Sequence, residues 1–177
     1  MLNEPALECL ATTEVIGQYK DMVYSIALTH TRNRHDAEDV FQEVFLTYHR
    51  KSPVFADPER RKAWLITTTL NCAKQNTMSS WRRKVVPIRE DIVDETPGDD
   101  LVGHDFRFRT DEQDQLFRAL RELPEKYRTV LHLFYFEDLS IADMATILNI
   151  ETGTIRVQLS RARASMREKL KGDHFDE

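Results

Sequence analysis

Hydrophobic residues recur along most of this chain at intervals of three and four, the period of an α-helix with one side turned to a core. Tyr19, Met22, Val23, Ile26 and Ala27 form a first stripe, and Ala37, Val40, Phe41, Val44, Phe45 and Tyr48 form a longer second one. A third runs through Ala63, Ile66, Leu70, Ala73, Thr77 and Trp81. The pattern then lapses: over residues 88–105, Pro97, Gly98 and Gly103 stand among acids without helical period, which reads as a linker. It resumes with Leu116, Phe117, Leu120 and Leu123, predicting a helix that ends before Pro124, and with Tyr127, Val130, Leu131 and Phe134, predicting the next.

The last segment carries more detail. Ser140 can N-cap a short helix with Asp143 at the capping-box position, and Ala142, Ala145 and Leu148 supply its small apolar face. Asn149 and Ile150 make a turn into a second helix that buries Ile155, Leu159, Ala162, Met166 and Leu170. The opposite side of that helix shows Arg156, Val157, Ser160, Arg161 and Arg167. A short helix, a tight turn and a longer basic helix make a helix-turn-helix. The expected architecture is all-α: two small helical domains, residues 1–84 and 112–177, joined by a linker over residues 85–111.

Composition agrees with helices. Glycine occurs only 5 times in 177 residues, and 41% hydrophobic content suffices for one medium core or two small ones. No stretch approaches the roughly eighteen apolar residues of a membrane span, and the first ten residues, "MLNEPALECL", are acidic without a long apolar run. A soluble cytoplasmic protein with no membrane insertion is expected. Cys9 and Cys72 lie far apart without metal-ligand spacing, as plain reduced thiols. There is no Gly-rich phosphate loop and no H-E-x-x-H, and the six histidines are scattered, so neither a catalytic site, a metal site nor a cofactor is expected.

The formal charge of −5 hides strong local differences. Residues 49–84 carry +7 and residues 154–171 carry +5, whereas residues 85–115 between them carry −7. A polyanion would meet two attractive patches, while the overall negative charge opposes indiscriminate adhesion.

The segment from Leu120 to Leu170, "LRELPEKYRTVLHLFYFEDLSIADMATILNIETGTIRVQLSRARASMREKL", resembles region four of bacterial sigma-70 factors. "DAEDVFQEVFLTYHRK" followed by "RKAWLITTTLNCAKQN" resembles their region two. Two such regions with only a linker between them are similar to the extracytoplasmic function (ECF) subgroup. The resemblance implies a promoter-specificity subunit. Region two would hold the clamp formed by the β′ subunit of core RNA polymerase and capture melted minus-ten DNA. Region four would meet the polymerase β flap and read the minus-thirty-five duplex. Family members are commonly held by an anti-sigma factor, a further possible partner. An acidic linker threading a basic polymerase channel would act as a mimic of nucleic-acid phosphates.

On a helical wheel of residues 36–50, Asp39, Gln42 and Glu43 surround Leu46 opposite the apolar stripe, and the resemblance makes these four the polymerase contacts. A helix over residues 60–84 lines up Trp64, Thr68, Asn71, Gln75, Met78 and Arg82, a mixture suited to holding unstacked bases. Trp64 can equally serve the core. The preceding loop, "KSPVFADPE", resembles the family segment that forms a pocket for a flipped minus-ten base, which implies that Phe55 offers a stacking surface, and Arg82 and Arg83 would neutralise the backbone. For the minus-thirty-five duplex the candidates are Thr154 together with Arg156, Val157, Ser160 and Arg161, the last four as readers, with Arg163 and Arg167 on phosphates. Val157 is either an ordinary exposed valine or a contact for a thymine methyl. The rival reading is a stand-alone helix-turn-helix regulator that binds duplex DNA as a homodimer and recruits nothing.

Overall fold

The computed structural model of the protein describes residues 10–85 and 111–172; the side chains of residues 79–85 and 111–114, of Phe117 and of Gly172 are outside that description, as are Cys9 and the linker residues 86–110. Seven α-helices are found among the described residues: α1 (Thr12–Thr31), α2 (Arg34–Lys51), α3 (Pro58–Val85), α4 (Asp111–Glu122), α5 (Glu125–Tyr135), α6 (Ile141–Leu148) and α7 (Thr152–Gly172).

The chain turns sharply between helices without spending glycine. Asn33 caps α2, its Oδ1 accepting the N–H groups of His35 at 2.8 Å and Asp36 at 3.3 Å. Arg32, Ser52 and Asn149 take left-handed backbone conformations just past α1, α2 and α6, each donating its N–H to a carbonyl four residues back. Pro124 stands immediately before α5, where its missing N–H costs nothing.

Helices α1 to α3 enclose one core, in which Val23, Ala27, Val40, Val44, Tyr48 and Leu65 are almost completely buried. Helices α4 to α7 enclose a second, built from Leu120, Leu123, Val130, Leu133, Met144, Ile155, Leu159 and Ala162. Ile26 of α1 and Ile66 and Leu70 of α3 pack into this second core, so the two bundles meet along α1, α3, α5 and α6.

Most of the expected stripes are buried as the periodicity requires, and three positions differ. Thr77 is exposed because this part of α3 lies outside both cores, and its hydroxyl bonds back to the Ala73 carbonyl instead. Leu116 is exposed on α4, where Ala119 and Leu120 face inward. Ala142 is exposed too: α6 buries Met144 and turns Ile141, Ala145 and Leu148 partly inward, one position round from the expected face.

Candidate nucleic-acid and protein interfaces

The helix-turn-helix is built as a rigid bracket. Ser140 Oγ accepts the Asp143 N–H at 3.0 Å, and the Asp143 carboxylate accepts the Ser140 hydroxyl at 2.7 Å. These bonds satisfy an N-terminal donor of α6 that would otherwise be orphaned. Asn149 then turns the chain with φ 54°, and the Ile150 N–H bonds to the Ala145 carbonyl. Helix α7 leaves this turn with Ile155, Leu159, Ala162 and Met166 buried against α4, α5 and α6.

With that side fixed, the opposite side faces solvent. Thr154, Arg156, Val157, Ser160, Arg161, Arg163 and Arg167 are all exposed, and Val157 is 49% accessible. Between the first turns of α5 and α7 lies an open cleft of about 530 Å³, with Lys126 and Tyr127 on one wall and Thr154, Val157, Gln158 and Arg161 on the other. Gln158 and Lys126 escaped the sequence reading. Gln158 completes the helical spacing of Thr154 and Arg161 and was legible there, whereas Lys126 reaches the cleft only through the fold. Arg163 is not free-standing: its Nε donates to the Tyr135 hydroxyl at 2.7 Å, and its guanidinium lies 5.5 Å from the Phe134 ring centre.

The face on α2 is equally open. Asp39, Gln42, Glu43 and Leu46 are exposed together, while Val40, Val44, Phe45 and Tyr48 point the other way. Leu46 is 54% accessible. Glu43 accepts from Arg50 and from the Thr47 hydroxyl, and Asp39 Oδ2 lies 3.4 Å from His35 Nδ1. Among the described residues, His35, Asp36 and Asp39 also bring potential metal-donor atoms within 4.8 Å of one another, at the exposed start of α2. Nearby, burial holds the Cys72 thiol above its ordinary value, helped by the Glu43 carboxylate, which keeps it protonated and inert.

Along α3 the expected polar stripe is present. Asn71, Gln75 and Met78 are exposed and Thr68 is half-buried. Trp64 is half-buried beside the first core, edge-on to Tyr48 at 5.9 Å, and tilted against Phe55 at 6.0 Å. Phe55 also lies under the Arg61 guanidinium at 5.7 Å. The loop aromatic and the helix aromatic thus form one continuous patch at the foot of the stripe. The side chains of Arg82 and Arg83, at its far end, lie outside the described residues.

Comparison with known proteins places these faces in context. The family profile of sigma-70 region 2 matches residues 15–83, and that of sigma-70 region 4 matches residues 113–166. The ECF RNA polymerase sigma factor SigW of Bacillus subtilis is 26% identical over 171 residues, covering 91% of this chain and 89% of its own length. The ECF RNA polymerase sigma-E factor of Haemophilus influenzae is 30% identical over 165 residues, covering 88% of this chain and 85% of its own length. The fold is shared with the sigma factor RpoE of Bartonella quintana, solved in complex with the anti-sigma factor NepR; the TM-score is 0.69 at 21% identity, over 93% of this chain and 98% of that one. Two region-specific matches in order, full-length relatives and a common fold leave one conclusion: the chain belongs to the ECF sigma factors of the sigma-70 family, which bind RNA polymerase and direct promoter-specific initiation.

Proposed function

We propose that three faces of this sigma factor divide the work of initiation. The α2 face of Asp39, Gln42, Glu43 and Leu46 docks on the β′ clamp of core polymerase. The Phe55–Trp64 patch and the stripe of Thr68, Asn71 and Gln75 hold melted minus-ten DNA, with Arg82 and Arg83 on its backbone. The start of α7 enters the minus-thirty-five major groove, and the second bundle docks on the β flap. Residues 1–84 and 112–177 act as the two modules, with residues 85–111 as an acidic linker. The reading assigns no reaction to the chain itself; catalysis belongs to the polymerase. It places the protein in the cytoplasm, where its polymerase is, and an anti-sigma factor is a further partner by likeness to the NepR-bound RpoE.

The single observation that supports the assignment best is the two-sidedness of α7, with Ile155 and Leu159 sealed and Thr154, Arg156, Val157, Ser160 and Arg161 open to solvent. Val157 points into solvent where an apolar residue gains nothing, and the thymine methyl is the groove feature it can recognise. Competition binding against single-base variants of the element tests this. Val157→Ser should lower preference at one A·T pair by about 1 kcal/mol or less, below the roughly 1–3 kcal/mol of a bidentate contact. Arg167→Ala should weaken all sequences alike and reduce the salt slope by roughly one. An unaltered base profile for Val157→Ser would remove that residue from the reading set.

A further inference from the structure

Two cations of α7 are held by neighbouring helices, and by opposite means. Near the end of the helix, Lys169 Nζ lies 2.7 Å from the Glu122 carboxylate of α4, an ion pair in which each charge offsets the other. Earlier in the helix, Arg163 is held by aromatic groups. Its Nε donates to the Tyr135 hydroxyl at 2.7 Å, and its guanidinium carbon lies 5.6 Å from the Tyr135 ring centre and 5.5 Å from that of Phe134. No carboxylate pairs with it among the described residues.

Tyr135 stands on a fixed base. It is the last residue of α5, two positions from the fully buried Leu133. The chain beyond it is tied back by the Phe136 N–H on the His132 carbonyl at 2.9 Å and the Leu139 N–H on the Leu133 carbonyl at 3.1 Å. The tyrosine nevertheless remains 54% accessible, and Arg163 is exposed, so the pair lies at the surface rather than in the core. A carboxylate in place of the phenol would bind the guanidinium more strongly and cancel its charge. A neutral phenol instead fixes the side chain and leaves the charge for an anion outside. With Nε committed to Tyr135, the Nη1 and Nη2 edge remains, a two-donor fork that fits two oxygens of a phosphate. The position suits such a contact: Arg156, Ser160, Arg163 and Arg167 follow one another at spacings of four, three and four along one exposed side of α7.

We propose that Tyr135 is a positioning residue for promoter binding: its hydroxyl and ring hold the Arg163 guanidinium, with its charge uncancelled, so that the free fork grips one backbone phosphate beside the minus-thirty-five element. This rests on the proposed entry of α7 into the minus-thirty-five groove. An unrestrained arginine loses rotamer freedom when it takes a phosphate, whereas one held by Tyr135 has lost that freedom on folding. Arg167 has no such holder among the described residues and serves as the comparison within the same helix.

The test is competition binding by holoenzyme, reconstituted from the full chain and core polymerase, on promoter duplexes carrying one neutral methylphosphonate at each backbone position of the minus-thirty-five element in turn. Tyr135→Phe keeps the ring and loses the hydroxyl. It should weaken binding of the unmodified promoter about threefold, with base profile and salt slope unchanged. Arg163→Ala should weaken binding about tenfold, lower the salt slope by roughly one and abolish the methylphosphonate penalty at one position. Adding Tyr135→Phe to Arg163→Ala should cost nothing more, because the hydroxyl acts only through the arginine. Arg163→Lys keeps the charge but loses the fork, so it should cost at least about twice as much as Arg167→Lys. A Tyr135→Phe holoenzyme that binds like the parent, a loss that persists undiminished beside Arg163→Ala, or a methylphosphonate profile that Arg163→Ala leaves unchanged would each overturn the positioning role. If base changes in the element leave parent binding unaltered, the entry of α7 into the groove fails and the positioning role with it. Base sensitivity without any effect of Tyr135→Phe removes the positioning role alone.

Discussion

Replacing Leu46 probes the α2 face with little risk to the fold. The side chain is 54% accessible, so roughly half of the 1.5–3 kcal/mol that full burial of a leucine provides remains available to a partner, about 0.8–1.5 kcal/mol. Leu46→Ala should therefore weaken core polymerase binding about four- to tenfold. Leu46→Asp loses the same area and adds a carboxylate that must be desolvated beside Asp39 and Glu43, both exposed on the same face. An unpaired buried charge adds at least roughly 2 kcal/mol, and the total of about 3 kcal/mol corresponds to a loss of roughly a hundredfold or more. Surface substitutions of this kind change stability by only about 0.5 kcal/mol, so helix content and binding to isolated minus-thirty-five duplex should be unchanged. Fluorescence titration of core polymerase with the labelled chain measures the loss, and circular dichroism checks the fold. If Leu46→Asp binds core polymerase as tightly as the parent, the docking surface lies elsewhere and the argument from Asp39, Gln42, Glu43 and Leu46 fails.

Leu159, 2% accessible at the centre of the second core, should cost about 2–5 kcal/mol as Leu159→Ala in urea unfolding, and a loss below about 1 kcal/mol would mean that α7 is not anchored as described. His30 should make the protein acid-sensitive. Burial, reinforced by Arg128 and Lys74 and opposed by Glu125, holds its imidazole below the ordinary 6.5. Glu125 Oε1 lies 3.0 Å from Nε2, yet neither ring nitrogen has a hydrogen bond of good geometry. The unfolded chain then takes up a proton at about 6.5 that the native chain refuses, so stability is full above that pH and falls as the pH drops toward the native value, by up to about 1.4 kcal/mol per unit. His30→Gln should flatten this part of the profile between pH 7.5 and 5.5, and superimposable profiles would refute the assignment. Changing Asp94, Glu95, Asp99 and Asp100 in the linker to their amides should alter initial RNA synthesis and promoter escape more than promoter recognition; transcription indifferent to the change at every salt concentration would reduce the linker to a tether.

Helix α7 was legible almost completely, because it has one buried side and its period of three and four says which. Ile155, Leu159, Ala162 and Met166 are buried as the spacing requires, and Arg156, Val157, Ser160 and Arg161 are exposed. The same logic placed Asp39, Gln42, Glu43 and Leu46 on one open face of α2. It failed where a helix has two neighbours. Thr29, His30, Arg128 and His132 are buried polar residues, the inverse of what an apolar pattern marks, and their burial depends on one bundle meeting the other across about a hundred residues of chain. Periodicity reports which side of a helix is covered by its own bundle and carries no information about a second surface that arrives from elsewhere. The exposure of Thr77 has the converse cause: the pattern continues where α3 lies outside both cores.

Run-off transcription with core polymerase and purified chain on genomic fragments asks directly whether one surface of the chain recruits polymerase while others select the promoter. Transcripts are expected from discrete start sites only when the chain is present, abolished by Leu46→Asp and reduced by Arg161→Ala with core binding intact. A chain that binds duplex DNA as a homodimer, leaves core polymerase unbound and yields no new transcript would contradict it.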